Sequence, residues 1–171
     1  MYFYARARGS EIVERLTGRQ VPVVLDPTML LLPGEWRAWR VGRRRWLRAC
    51  RLCSSTFLVT TCTTRRSRAS RAIWARRVVD VRDRRLRIGP SEFVWLAAHA
   101  AAVCTDSFHG CVFSLLHHMP LCLFERASKI DMSSRMDTLC DLFGMACCRE
   151  RSEGFDMYGM DWGAFEARSR S

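Results

Sequence analysis

Between Gly89 and Gly144 the chain alternates between helical and strand patterning without a break, and that alternation admits one broad class of fold. Gly89-Pro90 suits the entry to a helix, because proline is tolerated in a first turn. Ser91 to His99 then carries Phe93, Leu96 and Ala97 at helical spacing. Ala101 to Thr105 is a small-residue strand, and Ser107 to His118 reads as a turn followed by a helix with Val112, Leu115 and Leu116 inward. Pro120 to Phe124 is a strand that begins on proline, a position strands accept. Ser133 to Gly144 predicts a helix with Met136, Leu139, Cys140 and Phe143 on its apolar side, stopped by the glycine. Helix, strand, helix, strand, helix predicts an α/β fold with a parallel sheet and flanking helices.

Upstream the pattern is thinner. Residues 9–18 place Ile12, Val13 and Leu16 on one helical face, with Ser10 as N-cap and Gly18 as stop. Val21 to Leu25 reads as a short buried strand closed by Asp26-Pro27, since proline biases the residue before it away from the helical region. A second helix is expected near Gly34-Glu35-Trp36. From Arg37 to Arg77 neither period persists, although Phe57 to Thr60 and Val78 to Val81 predict strands. Between them, TTCTTRRSRASR resembles a low-complexity linker. At the other end, a short helix is expected over Asp161 to Arg168.

The net charge of +11 arises from one stretch. Residues 37–87 hold 17 Arg against two acids, Asp80 and Asp83, whereas the remainder of the chain is net acidic. Lys129 is the sole lysine, so the arginine excess suggests GC-rich coding more than selection for phosphate contacts. The basic stretch carries no recognisable nucleic-acid motif, which argues against a specific nucleic-acid module. The nine cysteines make neither a disulfide framework nor a metal set. Cys104, Cys111, Cys122 and Cys140 lie in apolar segments, where cysteine behaves as a small hydrophobe. Cys50 and Cys53 form one C-x-x-C with no second pair, and Cys147-Cys148 is no better. No apolar run approaches the roughly 18 residues that a membrane span requires. The start lacks the layout of a secretory signal, so the cytoplasm is the expected location.

The segment Thr105-Asp106-Ser107-Phe108-His109-Gly110 carries the chemistry. It leaves the carboxyl end of a parallel strand, where open α/β sheets bind ligands, and enters a helix whose first N–H groups and dipole favour an anion. Ser107 offers a hydroxyl, His109 an imidazole that can donate to phosphate or act as an acid, and Gly110 a close backbone approach. A plainer reading stands beside this one: Ser107 as N-cap, Asp106 as an acidic helix-start residue, and His109 as a structural histidine. His99, His117 and His118 are read as helix-surface residues.

The run GPSEFVWLAAHAAAVCTDSFHGCVFSLLHHMPLCLF resembles the signature of the polysaccharide pyruvyl transferase family, with its glycine-proline, its TDSFHG turn and its proline-led strand. Ser133 to Leu139 is similar to the family's serine-arginine helix start, and Ser10 to Trp36, with VVLDPTMLL, resembles its upstream part. The resemblance is strong over 89–145, fair over 9–36 and weak over 37–87. It implies a Rossmann-like domain similar to the C-terminal domain of a GT-B-type transferase. On that reading, 1–36 begins the domain, 37–88 is an Arg-rich, poorly matching middle segment and 89–150 binds the donor, with 151–171 as a tail. It implies transfer of pyruvyl from phosphoenolpyruvate to a sugar of a cell-surface glycan, with a glycan or lipid-linked acceptor and no cofactor. Contact with a membrane would be peripheral. His109 would be the catalytic group, and Ser107, His109, Gly110 and Arg135 would bind the donor. Thr105, Asp106 and Arg126 are weaker candidates, as is Lys129. The N-terminal half of a two-domain cleft is expected to lie outside this chain. Alternatives are a non-catalytic fragment that keeps the anion site, and a nucleotide-sugar glycosyltransferase of similar fold.

Overall fold

The computed structural model describes residues 7–22, 26–39, 56–59, 77–124 and 134–169. Its centre is a parallel sheet of β1 (Thr56–Val59), β2 (Arg77–Asp80), β3 (Ala102–Thr105) and β4 (Leu121–Leu123), in the spatial order β2-β1-β3-β4. The helices are α1 (Ala7–Thr17), α2 (Pro33–Trp36), α3 (Pro90–Ala97), α4 (Phe108–Leu116), α5 (Ser134–Phe143) and α6 (Trp162–Ser169). The helix–strand alternation expected from Gly89 onward is therefore present, and the chain is α/β. Both strands expected in the Arg-rich stretch also form, β1 at a central position and β2 at the edge. The linker between them lies outside the described residues, as does the Cys50–Cys53 pair.

Period two along the strands separates two apolar layers. Val103, Leu121 and Leu123 join the larger cluster, which also contains Val94, Leu96, Val112, Leu115, Leu139, Phe143 and Phe165. Their alternates, Ala102, Cys104 and Cys122, face a smaller cluster closed by Met157, Phe124 and Phe155. Burial on both faces is what a parallel sheet requires. Leu115 and Leu121 are at most 1% exposed, and each such side chain contributes about 1.5–3 kcal/mol. Helix α4 is buried from Gly110 to Leu116, so it is the central helix of the domain. Cys104, Cys111, Cys122, Cys140 and Cys148 are buried free thiols. Burial pushes the Cys111, Cys140 and Cys148 thiols up, and a hydrogen bond with Cys104 raises Cys122, so these groups pack rather than react.

Local chemistry explains the helix ends. At α3, Pro90 fills the first turn and the Glu92 carboxylate reaches back to accept from the Gly89 amide at 2.8 Å. Gly144, at φ +66°, ends α5 in the left-handed conformation that glycine adopts without strain. The α1 start differs from expectation: the helix begins at Ala7, so Ser10 is interior, and its hydroxyl donates to the Val21 carbonyl at 2.7 Å. Val21 and Pro22 are coil, and residues 23–25 of the expected strand lie outside the described residues.

The outer edge of β4 is covered by chain that follows α5. The Leu121 amide donates to the Met157 carbonyl, and the Glu150 amide to that of Leu123, both at 3.0 Å. An edge capped in this way cannot template pairing with another chain. Helix α6 docks through His118, whose ring stacks on Trp162 at 4.8 Å and lies 3.6 Å from the Glu166 carboxylate. His99 stacks on Trp95 at 4.3 Å and its Nδ1 lies 2.7 Å from the Trp95 carbonyl oxygen. Both rings, expected as plain surface groups, are packing elements.

Candidate functional site

Strand order decides where a ligand can sit. From β1 the chain runs outward to β2 on one side, then returns to β3 on the other, so the order reverses between β1 and β3. At such a switch point the connections diverge and leave a crevice at the carboxyl ends of the strands. Strand β3 ends there at Thr105, and Asp106-Ser107 turns directly into α4.

Side-chain hydrogen bonds hold the turn. Thr105 is fully buried, and its hydroxyl oxygen accepts from the Ser107 amide at 2.9 Å. Ser107 is the N-cap, accepting from the Gly110 amide at 3.4 Å. The Ser114 hydroxyl donates to the Gly110 carbonyl at 2.7 Å. The space beside Gly110 is taken by Thr105: a Cβ at position 110 would lie 2.5 Å from the Thr105 hydroxyl oxygen. Its small size thus serves the closeness of helix to strand. Ser107→Ala is expected to cost about 1 kcal/mol, the usual value of an N-cap, measured by thermal melting. A wild-type melting temperature in that variant would show that the long 3.4 Å contact caps nothing.

His109 stands on the first turn of α4, 53% exposed. Its Nε2 lies 3.7 Å from a carboxylate oxygen of Asp26, whose side chain is only 15% exposed. Asp26 caps a short 3-10 turn, Pro27–Leu30, accepting from the Thr28 amide at 3.0 Å and the Thr28 hydroxyl at 2.7 Å. The Trp36 indole N–H donates to the Thr28 carbonyl at 3.1 Å, and the same ring meets Phe113 of α4 edge-on at 5.0 Å. Trp36 thereby ties the Asp26 turn to the helix that carries His109.

Arg135, in the first turn of α5, completes the group, its guanidinium 4.9 Å from the centre of the Phe108 ring. Burial alone would push the Asp26 carboxyl up. The two Thr28 hydrogen bonds and the positive charges of His109 and Arg135 outweigh burial and hold it below the ordinary carboxylate value. The structure thus brings together Ser107, His109, Gly110 and Arg135, with Thr105 buried against Gly110 and Asp106 partly buried in the same turn. Arg126 and Lys129 lie outside the described residues. Among the described residues no group of three or more His, Cys, Asp or Glu side chains could hold a metal, and no helix is long and apolar enough to cross a membrane.

Two members of the site were not singled out from sequence. Phe108 is the platform for Arg135, and Asp26 is the acid facing His109. The available signal was Asp-Pro-Thr, an acid positioned to bond its own backbone two residues on. That signal predicts a turn and says nothing about what the turn approaches.

A family model described as Polysaccharide pyruvyl transferase matches residues 2–128. The match takes in the Arg-rich stretch and the whole of β3, the turn, α4 and β4. It stops before α5, so Arg135 lies beyond the matched span. No curated protein matches the chain, and neither does any solved structure.

Proposed function

The chain belongs to the polysaccharide pyruvyl transferase family, and from that premise we propose that the crevice at the end of β3 binds phosphoenolpyruvate and transfers its pyruvyl unit to a sugar of a cell-surface glycan. The observation that carries this reading is the meeting of His109, Arg135 and the α4 N-terminus at the switch point of the sheet. The donor is a small trianion, so it needs cationic and N–H contacts from several directions at once. The α4 amides and the Ser107 hydroxyl supply donors to the phosphate, and the planar Arg135 fork matches a carboxylate or a phosphate. On this reading the sheet takes the place of the C-terminal Rossmann-like domain of a GT-B-type enzyme, working in the cytoplasm.

The reaction assigns His109 its role. Two acceptor hydroxyls form bonds to C2 of the donor, C3 takes up one proton and becomes a methyl group, and the C2–O bond to phosphate breaks. Phosphate leaves with the second hydroxyl proton, so the exchange balances. An imidazole beside the phosphate can donate to the departing oxygen or deliver a proton as general acid.

Calorimetry on the full chain with phosphoenolpyruvate, a nucleotide-sugar and an oligonucleotide tests the proposal. Saturable phosphoenolpyruvate binding is expected, weakened at least about tenfold by His109→Ala, the scale of a lost hydrogen bond to a charged group. Equal affinity in that variant removes His109 from the site. Preference for the nucleotide-sugar instead favours a glycosyltransferase with the same crevice. Donor binding without turnover over a range of sugar acceptors would identify a non-catalytic fragment.

A further inference from the structure

The carboxylate facing His109 is a puzzle in a pocket meant for an anion. A negative charge at Asp26 repels a trianionic donor, and the simplest electrostatic design would omit it. Yet Asp26 is the most elaborately fixed side chain of the group. Its orientation is set by two hydrogen bonds from Thr28, and Trp36 pins the turn to α4 through the Thr28 carbonyl and Phe113. A charge that works against the ligand, held this firmly beside the imidazole, has a use other than contact with the ligand.

We infer that Asp26 is the positioning residue of His109: its carboxylate engages Nε2 and so turns Nδ1 toward the donor. This rests on the reading of the crevice as a donor site. The two ring nitrogens are distinct, and the partner of one decides what the other can do. With Nε2 directed at Asp26, the proton exchanged with the reacting group belongs to Nδ1. The 3.7 Å separation is an ion-pair distance, longer than a hydrogen bond, and such contacts often tighten once substrate is present. The charged groups around the carboxylate are His109 from α4 and Arg135 from α5, with Thr28 supplying neutral donors from its own turn.

A double-mutant cycle separates this from a purely structural role. Asp26→Asn keeps the shape and an oxygen for Thr28 but removes the charge. In the wild-type background it is expected to weaken phosphoenolpyruvate binding about tenfold, because an undirected imidazole contributes less. In a His109→Gln background the same change is expected to leave binding unchanged or to tighten it, since only the repulsion is then removed. Asp26→Glu, which returns a carboxylate, is expected to recover part of the loss in the wild-type background. Equal weakening by Asp26→Asn in both backgrounds would mean that Asp26 only shapes its turn, and overturns the inference. Should the wild-type chain bind no phosphoenolpyruvate, the donor reading falls. The inference is then judged by the same cycle in urea denaturation at low salt, where coupling between positions 26 and 109 supports direct engagement and additivity overturns it.

Discussion

Gly110→Ala is expected to destabilise the chain by about 1–3 kcal/mol, although it places a better helix former in a helix. Alanine would gain up to about 1 kcal/mol over glycine from intrinsic propensity. Against that stands a Cβ placed 2.5 Å from the Thr105 hydroxyl oxygen and 3.1 Å from the Thr105 Cβ. Neither neighbour can retreat easily: Thr105 is fully buried at the end of a central strand, and its oxygen already accepts from the Ser107 amide. Relief must come from moving α4 off the sheet, and α4 is buried from Gly110 to Leu116. The clash therefore outweighs the propensity, and a fall of several degrees in melting temperature is expected. Thr105→Ala supplies the control. It removes the crowding oxygen and leaves only the Cβ at 3.1 Å, so Gly110→Ala in that background is expected to cost clearly less than in the wild type. An equal loss in both backgrounds would sink the account of Gly110 as a helix-to-strand spacer. Donor affinity measured on the same variants should fall with the first change, because the spacer also sets where Ser107 and His109 stand.

What could be read in advance followed the range of the forces involved. The elements from Gly89 to Gly144 were legible because each is signalled locally: proline in a first turn, glycine at a helix end, apolar residues at one period or the other. The strand-to-helix turn over 105–110 was legible for the same reason, since strand, turn and helix follow one another in the chain. Ser10 was misread because a hydroxyl near an apolar run suits an N-cap equally well as a bond to a distant carbonyl. Only the fold brings Val21 within its reach. Asp26 was read as a turn residue, which it is. Its second role depends on a partner 83 positions further along the chain and on Trp36 meeting Phe113, a contact between side chains that no local pattern encodes. Gly110 had a local signal, but its contact with the Thr105 side chain is a matter of how helix and strand pack. The strand order that makes the β3 end a switch point is likewise a tertiary property.

Arg135→Ala is expected to weaken phosphoenolpyruvate binding by about tenfold or more while leaving the stability of the chain within about 0.5 kcal/mol of wild type. The second half of that expectation is what makes the first informative. A cation in the first turn of α5 opposes the helix dipole, a cost of about 0.3–1 kcal/mol. Its placement over the Phe108 ring returns about 0.5–1 kcal/mol, and its attraction to Asp26 adds to that. These terms nearly cancel, so the residue has little net structural reason to stand there, and its loss reads on the ligand. Arg135→Lys refines the result. Lysine keeps the charge but lacks both the flat face that lies on Phe108 and the fork that meets two oxygens at once. It is expected to recover only part of the affinity, whereas full recovery would mean that a point charge suffices and that the Phe108 platform is incidental. An alanine variant that binds as tightly as wild type would remove Arg135 from the site. The donor would then be held by His109 and the α4 amides alone, within the span that the family model matches.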